Sequence, residues 1–554
     1  MTDYKTSKEA FVSGMTGSSI GHINMISLAA LSSIALYSAL RTRLPPNRSE
    51  HFALEMLTLV LPLLLSITLY AKAPVILNIM LLLPTTLLLL IPRRETGIPL
   101  PSTLQSSPST SPYRGRPRTP DPSGGNSPST SALIPRLPAL TTYRAHMLLL
   151  TFLAILAVDF RVFPRMLAKC ETYGVSLMDI GVGSFIFSQG IISAVPLIKN
   201  PAYLTQPLFP KMVTTARKCL PIFVLGFVRT LSVKGVEYPE HQTEYGTHWN
   251  FFITLASIPI LEVLLHPVMV RLPISLLGVS VALLQQLVLS HGLTDYVLNA
   301  PRTGLISENK EGIVSLSGYL AVHLLGLSTG TLLLPPTPSY FRKRQQELAR
   351  APSPRRSAHT HDSDSESDDS TGPRRPGQTT TTAVERREND KTAIELCSYA
   401  VLWWALLGGS KLLGIGNGVS RRLVNLQYIL WIAAYNVSFI LGYMCLDLAF
   451  FASPLSKSTY SPYSKLKVQH DPVMLKKDDR HGHTVEGSAP ALLDAINKNG
   501  LALFLLANLA TGVVNLSMKT MYASDAVAMA VLSAYALAIC GVAWVFRNRR
   551  LWHF

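Results

Sequence analysis

Cysteine is scarce in this chain of 554 residues: Cys170, Cys219, Cys397, Cys445 and Cys540 are all it has, and no two stand at metal-ligand or redox spacing. That counts against a disulfide framework and a zinc site alike. Charge is also thin, with Asp, Glu, Lys and Arg making up 15% of the residues. No glycine-rich lysine loop, GxSxG elbow or HExxH helix occurs. ATP-driven transport, serine hydrolysis and zinc chemistry therefore lose ground. The polar start "MTDYKTSKEAFVSGMTGSS" does not read as a cleavable signal peptide.

Long apolar runs are what the chain has instead. Hydrophobic residues make up 48% of it, and runs of about 20 residues, the length that crosses a hydrocarbon core, recur. Such runs are too continuous for the alternating strands of a barrel, and in lipid a backbone must satisfy its own hydrogen bonds. The expected fold is all-α, a polytopic transmembrane helical bundle of about thirteen spans. The chain divides into residues 1–92 with spans one to three, a loop at 93–140, residues 141–335 with spans four to nine, a loop at 336–392, and residues 393–554 with spans ten to thirteen around a loop at 451–495. The Pro/Ser/Thr-rich loops 93–140 and 336–392, the second carrying "HDSDSESDDS", have too few apolar residues to bury a core and are expected to be disordered.

The net charge of +17 lies mostly in loops, which suits orientation by positive loops better than nucleic-acid binding. "RTRLPPNR", the 93–140 loop, "RKRQQ" and "RNRRLWHF" all fall on the cytosolic side if the N-terminus is lumenal and the span count is odd. Two stretches then carry positive charge on the wrong side: "DFRVFPRMLAKCETYG" (159–174) and "GSKLLGIGNGVSRRL" (409–423). An anionic headgroup or a cofactor phosphate is a reason to keep it there. The same face receives the His-, Asn-, Tyr- and Trp-rich segments 237–252, 307–320 and 515–526.

Asp159 ends an apolar span, where a charge costs several kcal/mol unless it is paired or hydrated. Lys169 lies ten residues on, and Pro164 between them breaks the helix and lets the lysine turn back toward the carboxylate. A carboxylate beside an ammonium can take a proton from an alcohol while the cation stabilises developing charge. A structural ion pair with Arg161 or Lys169 is the plainer reading. His248, Trp249 and Asn250 at the mouth of the seventh span are candidates for a second base, an interfacial aromatic and a hydrogen-bond donor. Arg161, Arg165, Arg421, Arg422, Asn515 and Lys519 are candidates for phosphate or headgroup contacts, with snorkelling at span ends as the alternative for the basic ones. Glu55, Glu262, Gln285 and Gln286 lie inside apolar runs and read as packing contacts between helices.

Six blocks, in order, resemble a known family: "YKTSKEAFVSGMTGSSIGHIN" (4–24), "VDFRVFPRMLAKCETYGVSLMDIGVGSFIFSQGIISA" (158–194), "KGVEYPEHQTEYGTHWNFFITLA" (234–256), "NKEGIVSLSGYLA" (309–321), "SRRLVNLQYILWIAAYN" (420–436) and "NGLALFLLANLATGVVNLSMKTMYAS" (499–524). The family is that of the inositol acyltransferases of glycosylphosphatidylinositol (GPI)-anchor biosynthesis, the PIG-W family. The resemblance implies a multi-pass endoplasmic reticulum membrane protein with its N-terminus lumenal and its C-terminus cytosolic. It implies transfer of a fatty acyl group, usually palmitoyl, from acyl-CoA to the inositol 2-hydroxyl of glucosaminyl-phosphatidylinositol. Acyl-CoA would be a co-substrate, with no metal or other cofactor. Asp159 and Lys169 fall on the family's catalytic pair, while Met166 stands where a second arginine often follows "FPR". A lipid or solute transporter is the rival class, since intramembrane charges suit it equally.

Overall fold

The computed structural model describes residues 7–8, 10–11, 13–43, 51–92, 134, 137–234, 242–350, 389–451 and 489–551. Its long helices, in chain order, are α1 (Ile20–Arg43), α2 (Phe52–Ile67), α3 (Pro74–Leu89), α4 (Pro138–Ala157), α5 (Leu177–Lys199), α6 (Leu208–Lys234), α7 (Phe251–Met269), α8 (Ile274–Asn299), α9 (Lys310–Leu333), α10 (Asn389–Leu412), α11 (Leu426–Phe450), α12 (Gly500–Ser517) and α13 (Asp525–Val545). They form a polytopic helical bundle, and each coincides with an expected span. Ten of the helices among the described residues are long and apolar enough to cross a membrane. α2 and α3 are shorter, and α6 carries Lys211, Arg217, Lys218 and Arg229. No β-strand is present among the described residues beyond the isolated bridge of Ser18 with Val175.

Most of the 93–140, 336–392 and 451–495 loops lies outside the described residues. Their described edges are helical: Pro138 opens α4, Tyr340–Arg350 is a helix inside the stretch expected to be disordered, and Ala491–Lys498 is another. The basic residues of "RKRQQ" are helix-compatible, and Phe341 anchors that helix by burial.

α5 and α9 pack at the centre. A side chain on Gly326 would run into the backbone of Phe187, and one on Gly190 into the backbone of His323, so the two helices touch backbone to backbone. Close approach through small residues is how membrane helices gain dispersion contact without a hydrophobic drive. α11 is buried along nearly its whole length, with Tyr428, Trp431 and Ile432 fully enclosed. Two buried acids serve as polar ties. Glu55 accepts from Tyr37 Oη and from the backbone N–H groups of Ala491 and Leu492, and Glu262 contacts His323 at 2.8 Å and His266 at 3.5 Å.

The loops at one end are bonded to one another. Ser18 N–H donates to Val175, Glu171 N–H to Met15, Gly174 N–H to Val419, and Thr247 N–H to Glu308, while Ser420 Oγ donates to the Thr172 carbonyl. This end gathers 159–176, 243–250, 300–309, 413–425 and 518–524, the segments that the sequence assigns to one face. Side-chain caps fix where three of the helices start there. Ser176 accepts from Asp179 N–H, Asn250 from Phe252 and Ile253 N–H, and Asn425 from Tyr428 N–H.

Candidate active site

Pro164 does what its chemistry demands. α4 stops at Ala157, the chain turns through Phe163, and a single 3-10 turn runs from Arg165 to Leu167 before α5 begins. Arg165 staples this loop from within, donating to the carbonyls of Val158, Phe160 and Phe163 and lying 4.0 Å from the Phe11 ring. Burial pulls its guanidinium down to about 10, against the pull of the nearby Asp159 carboxylate. Arg165 is thus a scaffold residue of the loop.

The loop does not bring Asp159 and Lys169 together. Asp159 is 1% exposed and pairs with Lys8 at 3.2 Å, while Asn515 donates to its second oxygen at 2.8 Å. Lys8 also donates to Asn515 at 2.9 Å, which closes a triangle. Lys169 instead pairs with Glu244 at 2.6 Å. The proline turn is present, but it carries the lysine toward the 242–250 segment, and the N-terminal segment supplies the cation for Asp159.

Lys169 and Glu244 sit in the wall of a cavity of about 330 Å³. Trp249, Thr230, Arg229 and Asn508 share that polar end. The body is apolar, formed by Met147, Leu150 and Ile155 of α4, Met178, Val182 and Phe185 of α5, Phe439 of α11 and Phe504 of α12. From Ile155 to Tyr143 along α4 the wall extends roughly 18 Å at helical rise. At its far end His146 is hydrogen-bonded to Tyr443 Oη at 2.7 Å. Asp159 does not line the cavity.

Behind the polar end runs a chain of alternating charge. Arg421 Nε donates to Asp179 at 2.7 Å, a second nitrogen of Arg421 lies 4.0 Å from Glu244, and Glu244 holds Lys169. Burial pulls the Arg421 guanidinium down, but Glu244 and Asp179 outweigh it and hold the group well above its usual range. Asp179 also accepts from Cys170 N–H and Ser176 Oγ. Arg422 is paired with the buried Glu311, which Arg302 also contacts. Arg421 and Arg422, expected to meet phosphate, are instead buried partners of acids.

The other candidates divide. Trp249 lines the cavity, and its indole donates to Thr254 at 2.8 Å. Asn250 also lines it, but its oxygen caps α7 and its amide nitrogen donates to Gly226 and Thr230, so its capacity serves the fold. His248 stands outside the lining, 3.3 Å from Glu308. Arg161 is exposed with its guanidinium 6.0 Å from the Tyr522 ring, Lys519 is exposed at the end of α12, and Asn515 belongs to the Asp159 triangle. The sequence reading missed Lys8, Asp179 and Glu311 as partners and did not single out Glu244. Glu244 stands in "EYGTHWNFF" beside the predicted mouth residues, which is the signal that pointed to it.

Sequence similarity to known proteins runs along nearly the whole chain. The GWT1 family model matches residues 4–546. The chain belongs to the GWT1 family. Among GWT1 relatives, GPI-anchored wall transfer protein 1 of Cryptococcus neoformans var. grubii is 36% identical, with all of both chains covered. The Aspergillus fumigatus protein of the same name is 36% identical over 99% of this chain and 98% of its own, and that of Yarrowia lipolytica 33% over 100% and 99%. The GWT1 match thus includes every segment that builds the cavity.

Proposed function

We propose that this GWT1-family chain is an acyl-CoA-dependent O-acyltransferase of GPI-anchor biosynthesis in the endoplasmic reticulum membrane. It would esterify the inositol 2-hydroxyl of glucosaminyl-phosphatidylinositol with a long-chain acyl group such as palmitoyl. The observation that carries this reading is the shape and polarity of the cavity, an apolar groove roughly 18 Å long ending in a Lys–Glu pair. Each methylene buried in such a groove contributes about 0.8 kcal/mol. The family names of the relatives point to the same pathway.

In this reading the acyl tail fills the apolar body and the thioester lies beside Lys169. The inositol oxygen attacks the thioester carbonyl carbon, and the C–S bond breaks. The hydroxyl proton passes to a carboxylate and from there to the departing thiolate, so atoms and charge balance. Lys169 stabilises negative charge on the carbonyl oxygen. Glu244 lines the cavity beside Lys169 and Asp159 does not, so Glu244 is the better placed of the two carboxylates to take the proton. Asp159 is then a positioning residue that fixes the loop carrying Lys169. Direct transfer is favoured over a covalent intermediate, because burial and then the Asp179 carboxylate push the neighbouring Cys170 thiol up and keep it protonated.

The test is purified protein in nanodiscs given palmitoyl-CoA and glucosaminyl-phosphatidylinositol, with the lipid read by mass spectrometry. A product heavier by one acyl group with release of free CoA is expected. Lipid movement between leaflets with no acyl-CoA consumed would replace this reading with the transporter.

A further inference from the structure

Arg229 is the charge in the cavity wall that the proposed transfer leaves unused. It stands on α6, five residues before the helix ends, with Phe227, Val228 and Leu231 exposed around it. A guanidinium at such a position is costly in hydrocarbon and is normally paired or functional. An aromatic pair stands beside it: the guanidinium lies 6.0 Å from the Phe252 ring, and Phe252 meets Phe504 at 5.9 Å. Among the described residues it has no carboxylate within 4 Å, whereas Lys169, Arg302, Arg421 and Arg422 each do. Arg421 and Arg422, two of the cations first expected to meet phosphate, are neutralised, whereas Arg229 lines the cavity with no carboxylate within 4 Å among the described residues.

We propose that Arg229 binds the phosphodiester of the lipid acceptor at an opening of the cavity toward the bilayer, flanked by α6 and α12. This rests on the acyl-transfer reading and adds the site that orients its acceptor. A planar guanidinium meets two phosphate oxygens at once, which fixes direction as well as position. Five residues of helix place it about 7.5 Å from the end of α6, the depth of a headgroup boundary rather than of the bilayer centre. The exposed apolar side chains beside it suit a lipid that arrives from the bilayer, while soluble CoA would reach its phosphate sites from water. Thr230 and Asn508 also line the cavity.

The experiment compares wild-type protein with Arg229→Gln and Arg229→Lys in nanodiscs, varying each substrate in turn. Arg229→Gln is expected to raise KM for glucosaminyl-phosphatidylinositol at least tenfold, with kcat and the KM for palmitoyl-CoA within twofold of wild type and the lysine variant in between. An unchanged lipid KM overturns the proposal, and so does a rise confined to palmitoyl-CoA. A second arm measures crosslinking of photoactivatable phosphatidylinositol and of photoactivatable diacylglycerol. Loss of the phosphatidylinositol signal alone in Arg229→Gln supports the site, and equal crosslinking in both proteins overturns it. If the wild type transfers no acyl group, the functional reading fails, and this second arm still decides the role of Arg229.

Discussion

Cys170 sits beside Lys169, yet its environment makes it inert. It is buried, its N–H is spent on Asp179, and that carboxylate adds to the effect of burial in holding the thiol neutral. A raised thiol pKa means that thiolate is absent at pH 7 to 8, so native protein should resist maleimide at Cys170 and react only on unfolding, as peptide mass spectrometry would show. Cys170→Ala should keep acyl transfer within about threefold of wild type, since no acyl-enzyme is required. Asp159 presents the opposite case, a buried charge whose partner is known. Asp159→Asn leaves Lys8 uncompensated and should cost about 3–5 kcal/mol, visible as a lower Tm in detergent, and Lys8→Met in the same chain should return most of it. Activity that returns with Tm identifies a holding role for Asp159. Stability that returns without activity makes Asp159 a participant in the chemistry.

Helix starts and contacts were legible to different degrees. Apolar run length located the spans, and Ser176, Asn250 and Asn425 are residue types that cap helices, so several boundaries at the reactive end follow from sequence. The pairing of charges was not legible, because Arg421 and Asp179 are 242 residues apart and meet only once the chain has folded. For the same reason, proline at 164 foretold a turn but not its destination. Nothing local says that Lys8 reaches Asp159 and leaves Lys169 to Glu244. These pairs give the elements their rigidity. Arg421→Ala should strip Asp179 of its partner, detach α5 from the 413–425 loop and lower Tm by more than Arg161→Ala, which removes only an exposed cation. Gly326→Leu should separate α5 from α9 and abolish a monodisperse peak in size-exclusion chromatography, because backbone and not a movable side chain lies opposite.

Across the described residues, the polar, bonded loops collect at one end of the bundle. This clustering was legible from loop composition, because the long helices among the described residues coincide with the apolar runs that separate those loops. The sidedness we propose, with the reactive end lumenal, is open to labelling. In a variant lacking the five cysteines, Ser339→Cys should react with an impermeant maleimide on sealed microsomes, and Thr303→Cys only after permeabilisation. The cavity itself was not legible in sequence, since α1, α4, α5, α6, α7, α11 and α12 all contribute to it from distant parts of the chain. Its Lys169–Glu244 mouth is the centre of the account. The most direct test is the palmitoyl-transfer rate of Lys169→Ala and Glu244→Gln proteins in nanodiscs, each first shown to be folded by its Tm. The account predicts a fall in kcat of roughly 10²–10⁴-fold in both, with the KM for palmitoyl-CoA little changed. A folded Glu244→Gln protein with wild-type kcat would contradict it.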